Sequence, residues 1–170
     1  MYEFTLTPRR AGPYRVFADI VPALSSVQEY AVCDLPSAQK GEALFTEGSA
    51  TASTVDGRRF DIAWAEPNLP FPSQQSIDGN VTVTGADGKP FNQLEQVMGT
   101  FAHLVAFHED RQTVLHLHPT GGDPESPDER GGPQFPFRFW APKPGFYRLY
   151  VQVQIGGAQV FAPFVVRVKP

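Results

Sequence analysis

The stretch GTFAHLVAFHEDRQTVLHLHPT (residues 99–120) holds all four histidines of the 170-residue chain. Two apolar segments lie in it, on either side of the polar tetrapeptide EDRQ (109–112). Side chains alternate between the two faces of a strand, and loops of four residues commonly join antiparallel strands. The stretch therefore predicts a β-hairpin whose strands cover roughly residues 100–108 and 113–119.

The register of this hairpin decides which histidines meet. With a four-residue loop, His108 pairs with Thr113, and the pairing continues back along both strands. Opposite partners share a face, which groups these residues: His103, Val105, Phe107, Val114, His116 and His118. The other face is wholly apolar and is predicted to face the core: Ala102, Leu104, Ala106, Leu115 and Leu117. His108 falls on the side away from the other three histidines.

Further short, aromatic-rich segments predict the rest of the fold. The chain has 17 prolines, 15 glycines and 14 phenylalanines, a composition typical of short strands and tight turns. Strand-like segments recur: RRFDIAWAE (58–66), GNVTVTG (79–85), FPFRFWAP (135–142), FYRLYVQVQ (146–154) and QVFAPFVVRV (159–168). No segment has the period of a long amphipathic helix. We therefore predict an all-β, immunoglobulin-like or cupredoxin-like antiparallel β-sandwich, with Trp64 and Trp140 in its core.

A short internal repeat bears on the domain organisation. Residues 4–20 align without a gap to residues 137–153. The matched pairs include Phe4 with Phe137, Gly12 with Gly145, Tyr14 with Tyr147 and Arg15 with Arg148. We interpret residues 1–35 as the C-terminal strands of a preceding, similar β-domain, 36–57 as a linker and 58–170 as the sandwich domain. In the alternative, which stays open, the first segment adds strands to the main sheet.

Charge and composition argue against several classes of function. The net charge of −4, the pI of about 5.5 and the lack of a basic patch argue against nucleic acid as a partner. No run reaches the roughly 18 apolar residues of a transmembrane helix. Cys33 is the one cysteine, and no serine, cysteine or aspartate is arranged with histidine as in a nucleophile motif. We therefore assign no catalytic residue and expect no enzymatic activity.

Three histidines on one face of adjacent strands are typical of a metal site. Neutral imidazole suits Zn(II), Cu(II) and Ni(II), and three such ligands leave a coordination position open. We predict a Cu or Zn ion on His103, His116 and His118, with Asp123 or Glu125 of the following acidic loop as an auxiliary ligand. Two alternatives remain. One is a structural or protein-interaction domain without metal, and the other is a small metalloenzyme that uses the open position.

The histidine-bearing face also carries apolar side chains. Val105, Phe107 and Val114 are too apolar to face water in a settled monomer. We therefore expect this face to be covered by the N-terminal strands, by a second copy of the chain in a homo-oligomer, or by a protein partner.

Three motifs carry a resemblance to a known group of proteins. They are Gly99-x-x-x-His103-Leu-Val, His116-x-His118-Pro119 and Pro142-x-x-Gly145-x-Tyr147-Arg148. Over about residues 58–168 the chain resembles uncharacterised bacterial extracytoplasmic β-sandwich proteins near the FixH-like and YtkA-like groups, which are associated with copper and heavy-metal handling. The resemblance implies a role with metal and a periplasmic, secreted or envelope-associated location.

Overall fold

The computed structural model describes residues 3, 5–8, 11–38, 48–66 and 69–170. Within these ranges the chain forms strands and no helix, so no described helix is long and apolar enough to cross a membrane. The chain divides into two compact units, Met1–Leu44 and Phe45–Pro170. The strands are β1 (Tyr14–Ile20), β2 (Glu29–Leu35), β3 (Ala52–Val55), β4 (Arg58–Trp64), β5 (Phe71–Pro72), β6 (Ser76–Thr84), β7 (His103–His108), β8 (Val114–Leu117), β9 (Gln134–Trp140), β10 (Gly145–Ile155) and β11 (Ala158–Lys169).

The first unit contains one antiparallel hairpin, β1–β2, which forms a two-stranded sheet. Its pairing begins with Tyr14 opposite Leu35, and the Arg15 guanidinium donates two hydrogen bonds of 2.6 Å to the Asp34 carboxylate. The repeat aligns β1 with β10, and β10 likewise forms an antiparallel hairpin with the strand that follows it, β11. Phe4 of the repeat lies outside the described residues. The interpretation of this unit as part of a preceding domain stays a prediction.

The second unit is a β-sandwich of two sheets. One sheet has five strands in the order β5-β11-β10-β7-β8, and the other has four in the order β3-β4-β6-β9. All neighbouring strands are antiparallel except β5 and β11, which are parallel. Both sheets contribute buried apolar side chains to one core. The predicted all-β sandwich is therefore confirmed.

Side chains of the long strands point alternately inward and outward, and the inward ones form the core of the sandwich. In β9 the side chains of Phe135, Phe137 and Phe139 are buried, while the residues between them are exposed. Gly79 of the neighbouring β6 leaves room for one of these rings, because a Cβ built at Gly79 would lie 2.5 Å from Phe137 Cζ. Burial of such large apolar side chains is the main favourable contribution to folding.

The two tryptophans have different environments. The Trp64 ring packs against Phe71 and Phe137, with centroid separations of 5.1 and 5.4 Å. Trp140 is 46% exposed, so the prediction that it fills the core was wrong. Alternation explains the difference, because Phe139 points inward and the residue that follows it in β9 must point outward.

The sandwich begins earlier than the sequence analysis placed it. Ala52–Val55 form β3, paired with β4, inside the predicted linker 36–57. Asp56 and Gly57, with φ of 48° and 73°, form the turn between the two strands. An Asp-Gly pair in this conformation is a favoured two-residue hairpin turn, so the sequence did contain the signal. Residues 39–47 of the predicted linker lie outside the described residues.

Candidate metal centre

The β7–β8 hairpin has the register that the sequence predicted. Val105 lies opposite His116, and the His108 amide donates to the Thr113 carbonyl at 2.9 Å, which closes the four-residue loop. Because β10 pairs with the other edge of β7, β8 is an edge strand of the five-stranded sheet. The apolar residues of β7 face the core, so the three candidate ligands lie on the outer face of the sheet.

His103, His116 and His118 converge on this face. Their ring centroids are 5.2 Å apart for His103 and His116, 5.0 Å for His103 and His118, and 4.5 Å for His116 and His118. One ligand atom from each ring lies within 4.8 Å of the other two. Alternation brings His116 and His118 to the same side of β8, and the ladder brings His103 beside them. The cluster could therefore hold a metal ion.

The buried member of the cluster is His103, whose side chain is 2% exposed. Its Nδ1 lies 2.9 Å from His116 Nε2, while its Nε2 is buried with no hydrogen-bond partner among the described residues. Burial lowers the pKa of His103, and the neighbouring His116 and His118 lower it further. All three effects favour the neutral imidazole, which is the form that binds metal.

A tight turn precedes β7, the strand that begins with His103. Val97 and Thr100 exchange backbone hydrogen bonds of 2.8 and 3.2 Å around Met98 and Gly99, whose φ values are 49° and 84°. The carbonyl groups of Met98 and Val97 lie near enough to the His103 ring to favour its protonated form, against the larger effect of burial. Gly99, just before the first histidine strand, was the signal for this turn in the sequence, but nothing in the sequence linked the turn to the histidines.

The other end of the cluster is open. His116 is partly buried and His118 is exposed. Directly after His118 the chain crosses to the other sheet, where Pro119 bridges to Phe137 of β9 and the Thr120 amide donates to the Pro136 carbonyl at 2.8 Å. These contacts fix the end of β8 and hold His118 beside its partners. An ion bound here would keep a position accessible to water on the His118 side.

The acidic loop does not contribute to the cluster of close ligand atoms. Asp123 lines a neighbouring cleft of about 110 Å³, together with Thr100 and Pro119. The Glu125 amide donates to the Glu129 carboxylate at 2.6 Å. Neither Asp123 nor Glu125 belongs to the group formed by the three histidines. An auxiliary ligand role for either residue stays a prediction.

The fourth histidine lies apart from the cluster. His108 is 5% exposed, and its ring packs against the Tyr147 ring with a centroid separation of 4.7 Å. Its Nδ1 accepts a hydrogen bond of 3.1 Å from the Asp110 amide, and its Nε2 donates to the Pro144 carbonyl at 3.1 Å. Both nitrogens are thus used by the protein, which makes His108 a structural residue.

The apolar part of the histidine-bearing face is partly covered by its own sheet. Val105, Phe107 and Val114 are all partly buried. The Phe107 ring meets the Tyr150 ring edge-on at 6.2 Å, because the two residues lie on adjacent strands. A partner on this face stays a prediction.

The donor set fits a transition-metal ion. Two nitrogens bound to one tetrahedral ion at about 2.0–2.1 Å lie about 3.3 Å apart, close to the 2.9 Å between His103 Nδ1 and His116 Nε2. Three neutral imidazoles match Zn(II) and Cu(II) better than Mg²⁺ or Ca²⁺, which prefer oxygen ligands. Small side-chain adjustments would bring the third ring to the same ion.

Comparison with known proteins gives a family and no named relative. No curated protein matches the chain. A family described as Domain of unknown function (DUF8832) matches residues 53–170, which include the sandwich from β4 to β11 and all three clustered histidines. Since the match covers well over half of the sequence, the chain belongs to the family described as Domain of unknown function (DUF8832).

Proposed function

We propose that the chain is an extracytoplasmic β-sandwich module that binds one divalent transition-metal ion, copper or zinc, through His103, His116 and His118. The observation that carries this proposal is the mutual approach of three ligand atoms within 4.8 Å. The lowered pKa of His103 supports it, because a ring that stays neutral is ready to coordinate without first losing a proton.

The three ligands have different roles in this proposal. His103 is held in the sheet and buried, so it is the fixed ligand. His116 is partly buried, and its Nε2 already lies 2.9 Å from His103 Nδ1. His118 is exposed and leaves the ion open to solvent. With a fourth position free for water, the ion would be held but accessible.

The extracytoplasmic location and the association with copper come from the resemblance to the FixH-like and YtkA-like groups. The motifs that carry this resemblance include all three proposed ligands. The described residues offer no arranged nucleophile beside the cluster, so the proposal is binding or carriage of the ion. A metalloenzyme would need an acid or base at the open position, and Asp123, in the cleft that Pro119 also lines, is a candidate.

One observation favours a second candidate, a structural or interaction domain without metal. The 2.9 Å contact between His103 Nδ1 and His116 Nε2 is also a good hydrogen bond between two neutral rings. In that case the cluster would join β7 to β8 by side-chain contacts alone. A titration with metal ions distinguishes the two candidates, because a metal site predicts binding and a structural domain without metal predicts none.

Calorimetric titration of chelator-cleaned protein with Zn(II) and Cu(II) separates the two candidates. We expect one ion per chain for the wild type. His116→Ala should weaken binding by more than the roughly 10–100-fold that loss of a hydrogen-bond partner of a metal ligand typically costs. His108→Ala is the matched control, because that ring lies on the opposite face of the same hairpin, and it should bind with nearly unchanged affinity.

Circular dichroism of each variant shows whether it is folded, since His108 is buried and its loss removes packing. If a folded His116→Ala variant binds as tightly as the wild type, or if no form binds either ion, the metal proposal is wrong. The cluster would then be the metal-free arrangement described above.

A further inference from the structure

The outer face of the four-stranded sheet carries an exposed tryptophan. On β3, β4, β6 and β9, all of them within the described residues, Trp140 is the one large apolar side chain that is exposed, at 46%. Its side chain points outward together with these residues of the β6–β9 pair: Ser76, Asp78, Asn80, Thr82, Gln134, Pro136 and Arg138. A large aromatic ring therefore lies among mostly polar side chains, and much of its surface stays in contact with water.

The strand register places hydrogen-bonding groups beside this ring. Trp140 lies opposite Ser76, and Arg138 lies opposite Asp78 on the same face. Directly opposite residues have Cβ atoms about 4.5–5.5 Å apart, so the four side chains form one continuous patch. The Arg138 guanidinium donates to the Asp78 carboxylate at 2.8 and 3.4 Å. Both side chains are about 60% exposed, so each keeps donors or acceptors that a ligand can use.

The charges on this face balance one another. Arg138 and Asp78 form one ion pair, and Arg59 and Asp61, which lie on the outer face of β4, form a second at 2.7 Å. A charged ligand would have to compete with these pairs. The face therefore favours a neutral ligand that both donates and accepts hydrogen bonds.

A strained residue lies at the same end of β9. Gln74 has a φ of 60°, in the left-handed region that residues other than glycine rarely adopt. Its amide donates to the Ala141 carbonyl at 2.7 Å, which places Gln74 beside the residue that follows Trp140. Such strain is concentrated at functional sites, so the turn before β6 is a second, independent sign of a site here.

We propose that Trp140, with Ser76, Asp78 and Arg138, binds a neutral sugar ring of the glucose configuration in a β-linked glycan. The hydroxyl groups of such a ring are equatorial, so its C–H groups form a flat apolar face. That face stacks on the indole, whose π surface is electron-rich. The hydroxyl groups at the ring edge donate to Asp78 and accept hydrogen bonds from Arg138 and Ser76.

A protein partner fits this patch less well than a sugar. Protein interfaces have an apolar centre with a polar rim, and a single exposed ring does not form such a centre. A sugar needs only one aromatic platform with hydrogen-bonding groups beside it. The patch lies on the four-stranded sheet and the three histidines on the five-stranded sheet, so this inference does not rest on the metal proposal.

Calorimetric titration of the full chain with cellohexaose, and with the corresponding N-acetylglucosamine hexamer, tests the assignment. A chelator in the buffer excludes binding through a metal ion. We expect saturable binding of at least one of the two oligosaccharides, and Trp140→Ala should weaken it by about tenfold or more. Trp140→Phe keeps an aromatic ring and should retain part of the affinity.

Phe161→Ala is the matched control, because Phe161 is an aromatic residue of similar exposure, 48%, on the other sheet. Its affinity for the sugar should stay within about twofold of the wild type, since residues outside a binding site contribute little.

Tryptophan fluorescence gives a second readout. The chain has two tryptophans, and the Trp64 ring packs against Phe71 and Phe137. A sugar stacked on Trp140 should shift the emission to shorter wavelength and protect it from quenching by acrylamide. Both changes should be absent in Trp140→Phe.

The outcomes decide this inference separately from the proposed function. If neither oligosaccharide binds, or if Trp140→Ala binds as tightly as the wild type, the sugar site is wrong. An equal loss of affinity in Phe161→Ala would also overturn the assignment to this patch. Zn(II) titration of Trp140→Ala should match that of the wild type, whichever way the sugar experiment turns out.

Discussion

His103 sets the pH behaviour of the site at the scale of single residues. Burial, followed by the nearness of His116 and His118, holds the pKa of His103 below its ordinary value. This ring therefore takes up a proton less readily than an ordinary imidazole. Its two partners must also be neutral to coordinate, because a protonated imidazole has no free lone pair.

We predict that metal affinity decreases as the pH is lowered, most steeply below about pH 6.5, where imidazole ordinarily takes up a proton. Zn(II) binding should release protons, and its affinity should decline at each step between about pH 7.5 and pH 5.5. Calorimetry in buffers of different ionisation enthalpy measures both quantities. An affinity that does not change over this range would contradict imidazole coordination.

Asp110 is a second residue whose charge matters, because it affects the stability of the fold. Burial by itself would raise its pKa, but hydrogen bonds from Lys143 and from the Gln112 and Thr113 amides outweigh burial and lower it. The two amide contacts measure 2.9 and 3.0 Å and close the β7–β8 loop. The Lys143 contact ties this loop to the segment between β9 and β10.

We predict that Asp110→Asn lowers the free energy of unfolding by about 1–3 kcal/mol at neutral pH. A carboxylate with a lowered pKa stabilises the fold above its ordinary pKa, and this contribution is lost as pH falls and the group is protonated. The difference between wild type and variant should therefore narrow below about pH 4. Urea unfolding at neutral pH and at about pH 3 tests this, and an equal difference at both values would contradict it.

At the scale of elements, the alternation of side chains along strands is what made the faces of the histidines predictable from the sequence. A four-residue loop and a period of two residues sufficed to place three histidines on one face of β7–β8 and His108 on the other. The same rule, applied to β9, would have placed Trp140 on the outside. The burial of His103 was not predictable in this way, because the exposure of a residue on the outer face of a sheet depends on tertiary contacts that its position in the strand does not specify.

The β6–β9 pair offers an element-scale test of packing. A Cβ at Gly79 would lie 2.5 Å from Cζ and 2.7 Å from Cε1 of the Phe137 ring. We predict that Gly79→Ala destabilises the sandwich by about 1–3 kcal/mol, because the buried ring must shift. Gly88→Ala is a comparison variant without a steric clash, since a Cβ there meets no atom within 4 Å. Its φ of 77° does add backbone strain.

Thermal unfolding of Gly79→Ala, and of Gly79→Ala with Phe137→Leu, measures the effect. The smaller leucine should recover part of the loss caused by the alanine, because the two substitutions affect the same contact. If the destabilising effects of the two substitutions simply add, the clash of alanine with the Phe137 ring is not the cause of the destabilisation.

At the scale of the whole molecule, the second unit contains both the core and the candidate site. The buried apolar cluster and the three histidines all lie within Phe45–Pro170. We predict that a fragment of residues 48–170 folds by itself and binds Zn(II) with the stoichiometry of the full chain. Circular dichroism and calorimetry of the fragment test this. An unfolded fragment would mean that the first unit completes the sandwich, the alternative that the sequence left open.

Metal should also stabilise the whole molecule. An ion that binds the folded chain and not the unfolded chain adds about 2.7 kcal/mol at a free concentration 100 times its Kd. We predict a higher Tm with Zn(II) for the wild type and for His108→Ala, and no such increase for His116→Ala. An equal increase in all three would point to ion binding elsewhere on the chain.

The gradient of burial from His103 to His118 has a kinetic consequence. If an ion binds as proposed, the exposed His118 would detach from it most readily, whereas the buried His103 is held by the sheet. An acceptor could then supply its own donor atom in place of His118 before the other two histidines dissociate, since such sites can pass through an extra coordination. The ion would move by stepwise exchange between protein and acceptor. The transfer rate would then rise with acceptor concentration, and the ion would never be set free in solution.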